Sequence, residues 1–134
     1  MKKIIMAALA VFAVQSYTVA TPAYAEACDV AKGKKIFKRC KACHKLEEGK
    51  NGIGPNLFQI VNRPVASVDE FTYSPAMIGY AEGGKVWDQA TFDVFITKPK
   101  KEVKGTNMQF GGLKKEAQRN DLFCYLEKEA GATE

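Results

Sequence analysis

The sequence predicts an all-α domain of about four to five helices joined by long loops. Three observations lead there. Apolar residues recur at helical spacing after Asp29, after Asp88 and after Lys115. Those stretches are bounded by capping or helix-breaking residues. No pair of alternating runs around a turn signals a hairpin, and the chain has no internal repeat or low-complexity tract.

Asp29 is placed to cap a first helix running to about Arg39 or beyond. Its apolar side carries Val30, Gly33, Ile36, Phe37 and Cys40. Gly33 weakens that helix, which makes sense where another backbone crosses closely. Gly49 to Pro55 reads as loop. Ser74-Pro75 pairs a cap with a proline at the first helical position, opening a short helix through Tyr80 that Gly83-Gly84 stops. Asp88 to Thr97 forms the next helix, with Phe92, Phe95 and Ile96 inward and Pro99 just past its end. Lys100 to Gly112 reads as loop, punctuated by Gly105, Gly111 and Gly112. The last helix spans Lys115 to Ala130, with Leu122, Tyr125, Leu126 and Glu129 on one side and Gly131 as its stop. Loops of this length in a compact domain are expected to serve a function.

Residues 1–25 read as a cleaved secretory signal peptide: Lys2 and Lys3, the apolar run Ile4 to Val14, then Ala23-Tyr24-Ala25 as the cleavage site. The apolar run is short for a membrane span, which takes about 20 residues. Residues 26–134 remain as a single domain, with the periplasm as the expected location. A core this small gains much from a covalently held group.

The run Cys40-Lys41-Ala42-Cys43-His44 carries the chemistry. Two cysteines three positions apart, followed by histidine, form an attachment site for c-type haem. Both thiols project to one side, where each can add to a porphyrin vinyl group, and the adjacent imidazole reaches the iron. A redox dithiol would need a βαβ context, and a zinc site would need two more ligands at matched spacing. His44 is the one histidine of the 134-residue chain. The implied cofactor is one haem c, held through Cys40 and Cys43.

Two further cysteines, Cys28 and Cys124, form an even remainder in an oxidising compartment. A bridge between them, two free thiols, and a lipid-modified Cys28 are all open readings of the spacing. For the second axial position, signal removal leaves Met77 and Met108 as the thioethers. Met108 stands in the glycine-flanked run Gly105 to Gly112, which can lay its backbone against a flat ring, whereas Met77 falls on a helix as core. Lys101, Lys104 or a vacant site are the remaining choices.

The formal charge of +5 shrinks once Lys2 and Lys3 are removed. Its distribution matters more. Lys32, Lys34, Lys35, Lys38, Arg39, Lys41 and Lys45 crowd the haem motif, Lys98, Lys100, Lys101 and Lys104 form a second cluster, and Lys114 and Lys115 a third. Nucleic acid is not the expected partner of an exported haem protein.

These motifs stand in an order that resembles the class I c-type cytochromes, in the branch of cytochrome c2 and mitochondrial cytochrome c. The resemblance runs from Asp29 to Leu126. Gly33-Lys34-Lys35-Ile36-Phe37 precedes the haem motif. Gly54-Pro55-Asn56-Leu57, Arg63, Phe71-Thr72-Tyr73, Trp87, Pro99, Gly105-Thr106-Asn107-Met108 and Asp121 to Leu126 follow it. The resemblance implies a class I cytochrome c fold wrapped around one haem. It implies His44 and Met108 as iron ligands and the Pro55 carbonyl as partner of the His44 ring N–H. Arg63, Tyr73, Trp87 and Thr106 would surround buried propionates, and Phe110 would cover the haem edge. Gly33 and Phe37 would meet Leu122 and Tyr125 where terminal helices cross, bringing Cys28 towards the last helix. Three departures stand out: Phe95 where many relatives have tyrosine, Lys104 before Gly105 in place of proline, and a longer Tyr73-to-Trp87 interval.

The resulting expectation is a soluble, monomeric, periplasmic electron carrier, not an enzyme, moving single electrons between membrane redox complexes. Lys38, Arg39, Lys41, Lys100, Lys101, Lys114 and Lys115 would steer it to acidic docking patches without stable membrane insertion. The rival readings are a haem peroxidase or a gas-binding sensor, each requiring loss of the methionine ligand.

Overall fold

Two terminal helices cross at a glycine, and that crossing frames the molecule. The computed structural model describes residues 28–130; the expected signal peptide and Gly131 lie outside them. Helix α1 spans Val30–Phe37, α2 Pro75–Tyr80, α3 Gln89–Thr97, α4 Pro99–Glu102 and α5 Glu116–Glu129. Helix α1 packs on α5, and α3 packs on both α5 and α4. Among the described residues the one β feature is an isolated antiparallel bridge between Pro64 and Val86.

The helices begin where side chains satisfy their free amides. Asp29, Ser74 and Asp88 accept from the backbone N–H of Lys32, Met77 and Thr91. Helix α1 ends at Phe37, sooner than its apolar spacing suggests, and continues as hydrogen-bonded turns through Cys43. Helix α4 occupies a stretch expected to be loop. Pro99 opens it at the first helical position without any side-chain cap and is buried, so packing against α3 adds to the proline in holding this single turn.

At the α1–α5 crossing a Cβ on Gly33 would sit 2.6 Å from Tyr125 Cβ and also strike the Asp121 carbonyl. Only a residue without a side chain lets the backbones approach this closely. Phe37 and Tyr125 stack beside it with ring centroids 5.3 Å apart. The Asp29 amide donates to Asp121 Oδ1 at 2.8 Å, and Cys28 and Cys124 are joined in a disulfide with Cα atoms 6.3 Å apart.

The long loops are pinned to one another. Leu57 N–H donates to the Lys45 carbonyl (2.7 Å), Trp87 N–H to that of Arg63 (2.9 Å), and Asn62 N–H to that of Trp87 (3.1 Å). The Gln59 amide donates to the carbonyl of Ala130, tying this loop to the end of α5. These bonds curl residues 44–74 around one side of the core, which gathers Phe37, Ile60, Met77, Trp87, Phe92, Phe95, Leu113, Leu122 and Leu126.

Candidate haem site

The turns after α1 set the geometry of the motif. Cys43 and His44 amides both donate to the Cys40 carbonyl at 3.0 Å, so the chain winds tightly and presents the three side chains together. Both thiols are half-buried. Burial pushes the Cys40 thiol up to about 11, marking the apolar character of the wall it belongs to.

His44 Nδ1 lies 2.7 Å from the Pro55 carbonyl oxygen. That oxygen can only accept, so Nδ1 carries the hydrogen and Nε2 keeps its lone pair. Burial lowers the imidazole below its ordinary range, against the pull of the Pro55 bond. The ring is thus neutral and oriented, the state a metal needs. Gly54 packs its backbone against this ring, and the Gly54 amide donates to the Cys43 carbonyl at 2.9 Å.

These residues open onto a cavity of about 460 Å³. Its walls include Cys40, Cys43, His44, Pro55, Arg63, Tyr73, Trp87, Thr106, Met108 and Phe110, all ten positions singled out in the sequence for the cofactor. The rest is mostly apolar: Phe37, Leu57, Ile60, Phe71, Phe92, Ile96, Leu122 and Leu126 among them. Sequence reasoning assigned several of these to helix faces or loops without assigning them to the site; inward spacing on α3 and α5 was the signal that could have placed them. Met77 lines the cavity as well, from α2, where it is buried. Met108 stands half-buried on its loop, with its amide bonded to Thr106 Oγ1 at 3.3 Å.

One end of the cavity is polar. Arg63 Nη1 donates to the Phe58 carbonyl at 2.5 Å and Nη2 to that of Asn56 at 2.9 Å. Its Nε is buried with no partner among protein atoms. Tyr73 Oη accepts from the Val68 amide at 3.2 Å, leaving its own proton to give. Burial raises the Tyr73 phenol, so it stays a donor, and burial draws the Arg63 guanidinium down from its ordinary value. A porphyrin with carboxylate arms fits this arrangement. The two thiols and one imidazole meet it at the motif, the apolar wall takes the ring, and the orphaned Arg63 N–H and Tyr73 O–H meet an anion that a dry pocket could not otherwise hold.

The basic residues divide. Arg39 lines the cavity with its guanidinium 5.0 Å from the Phe110 ring centroid, and Lys100 Nζ donates to Gln109 Oε1 at 2.5 Å, so both stand at the cavity mouth. Lys38, Lys41, Lys101, Lys114 and Lys115 are exposed but do not line the cavity. Of the three departures, Phe95 packs against Trp87 with ring centroids 5.0 Å apart and brings no hydroxyl of its own to the cavity. The longer interval carries α2, whose Tyr80 ring lies 6.4 Å from Trp87 and 6.2 Å from Phe95.

Comparison with known proteins agrees with this geometry. The family model described as Cytochrome c matches residues 30–129. Cytochrome c2 of Rhodoblastus acidophilus is 45% identical over 95 residues, covering 70% of this chain and 86% of the relative. Cytochrome c of Stellaria longipes is 45% identical over 101 residues, covering 74% and 91%. Among solved structures, cytochrome cH from Methylobacterium extorquens superposes with a TM-score of 0.67 at 37% identity, covering 75% of this chain and 98% of that one. With motif, cavity and relatives in agreement, the chain belongs to the cytochrome c family, haem c proteins that carry electrons and are not enzymes.

Proposed function

We propose that this protein is a soluble, monomeric, periplasmic carrier of single electrons between membrane redox complexes, from a bc1-type donor to an oxidase or a reaction centre. The observation that carries the reading is one apolar cavity lined by two thiols, an oriented neutral imidazole and a loop-borne thioether, with anion donors at one end.

Haem supplies an iron that changes oxidation state by one electron. Cys40 and Cys43 hold it covalently through thioether bonds. Pro55 holds the His44 ring through Nδ1, so His44 would offer its free Nε2 to the iron and Met108 would supply a thioether. With His44 and Met108 both bound, the iron would have no place for a substrate. Thioether–imidazole ligation and the apolar wall would disfavour the extra positive charge of the oxidised state and raise the potential. Arg63, Tyr73, Trp87 and Thr106 surround the propionates, and Phe110 excludes water at the edge.

Lys38, Arg39, Lys41, Lys100, Lys101, Lys114 and Lys115, all exposed, form the docking ring. They steer the protein to acidic patches on its partners in brief, salt-sensitive encounters. The export reading of residues 1–25 supports the periplasm, and among the described residues no helix is long and apolar enough to cross a membrane.

The decisive experiment is the ferric absorption spectrum of the holoprotein. The weak long-wavelength band of an iron–methionine bond is expected, lost in Met108→Ala and kept in Met77→Ala. A high-spin spectrum in the unmodified protein overturns the reading. Reversing the charge of Lys41 or Lys101 is expected to slow electron transfer at low ionic strength more than reversing Lys128; equal effects would remove the docking ring.

A further inference from the structure

The segment Val103 to Lys115, between α4 and α5, carries Met108. Its middle is held at the surface, by the Lys100–Gln109 hydrogen bond and by Arg39 over Phe110. Its trailing end is held in the interior. Leu113 N–H donates to the Ile96 carbonyl at 2.8 Å, and the Leu113 side chain is 1% exposed. Gly112, at φ +91, lies so close to α3 that a Cβ would sit 2.7 Å from the Thr97 carbonyl carbon. Arg119 Nη1 then donates to two consecutive carbonyls, Leu113 at 3.1 Å and Lys114 at 2.9 Å.

Arg119 stands in the first turn of α5 and is 8% exposed. Its Nε and Nη2 reach the two oxygens of Asp93 at 2.5 and 3.2 Å. Asp93 follows Phe92 on α3, and Phe92 is part of the cavity wall. One guanidinium therefore joins α3, α5 and the end of the methionine loop. Geometry of this bidentate kind fixes orientation as well as charge. A buried guanidinium without its carboxylate is costly and turns to water, releasing the carbonyls it held.

We propose that Asp93 is a positioning residue for Met108: by holding Arg119 in place it fixes the trailing end of the methionine loop and keeps the thioether on the iron. The inference rests on the reading of Met108 as a ligand. Asp93 reaches neither the cavity nor the loop directly; it acts through Arg119.

An external ligand such as imidazole binds the iron only when Met108 has left. Its apparent affinity therefore scales with the population of the opened loop. Asp93→Asn in the holoprotein keeps the size and one acceptor but removes the charge. It is expected to bind imidazole about tenfold more tightly in the ferric state, the shift typical of a modest coupling between sites. Asp121→Asn is the control. Asp121 lies on α5, as Arg119 does, but accepts from the Asp29 amide at the crossing of α1 and α5. It is expected to lower thermal stability with little change in imidazole affinity, and Asp93→Glu is expected to return affinity towards that of the unmodified protein. Unchanged affinity in Asp93→Asn, or an equal rise in Asp121→Asn, overturns the proposal. Absence of the iron–methionine band from the unmodified protein instead overturns the Met108 reading on which it stands.

Discussion

His44 owes its orientation to a neighbour with no side chain. A Cβ on Gly54 would lie 2.8 Å from His44 Nδ1 and 2.9 Å from Nε2, closer than carbon and nitrogen can pack. Gly54→Ala is therefore expected to turn the ring off the Pro55 carbonyl, lowering stability by about 1–3 kcal/mol as overpacked sites do. Thermal melts of the holoprotein, read beside its haem absorbance, check both effects. The histidine itself is legible in the motif, because covalent chemistry demands that spacing. The need for Gly54 is not, because it comes from a loop that folds back over the ring. Arg63 follows the same pattern. Its charge is plain in the chain, but the buried, partnerless Nε exists only because Asn56 and Phe58 carbonyls claim the other nitrogens.

Helix ends show where local chemistry suffices. Asp29 and Asp88 hold their carboxyls below the ordinary carboxylate range, chiefly because the amides of Lys32 and Thr91 donate to the ionised form. A folded-state value below the unfolded one stabilises above the unfolded value and is lost as pH falls through the folded one. The double variant Asp29→Asn, Asp88→Asn keeps cap acceptors but not the charge, so its stability is expected to vary less with pH below about 4 than that of the unmodified protein. Acid titrations followed by circular dichroism check this. The loop between the haem motif and α2 is different. Gln59, Asn62, Ala66 and Glu70 all adopt positive φ, between 45° and 60°. Glu70, at φ 57, is exposed, so Glu70→Gly gives up no buried contact and is expected to stabilise by up to about 1 kcal/mol in denaturant unfolding. Asn62 apart, nothing in those residue types announces the left-handed backbone. Helix α5 hides its partners instead: Arg119 and Asp121 are charged, yet both are buried because Asp93 and the Asp29 amide, distant in the chain, meet them.

Across the whole molecule, the crossing of α1 and α5 joins the two ends of the described chain, and the Cys28–Cys124 bridge closes it over 96 residues. Replacing both cysteines by serine is expected to cost about 2–5 kcal/mol, since the unfolded chain regains the freedom of a long loop. Urea unfolding measures the loss, and thiol counting on denatured, unreduced holoprotein is expected to find no free thiol. Gly33 and the Phe37–Tyr125 contact keep the crossing tight without the bridge, so the double variant is expected to fold and retain its haem.

The all-α class, the capped helices, the haem motif and its histidine follow from composition and spacing, because each depends on residues within a turn or two of one another. The pairing of Cys28 with Cys124, the short α4, the apolar wall drawn from α3 and α5, and the Asp93–Arg119 hold on the methionine loop depend on residues far apart in the chain. Their partners are chosen by packing around a shared cavity, and no local pattern of residue types encodes which distant carbonyl, ring or carboxylate will stand opposite.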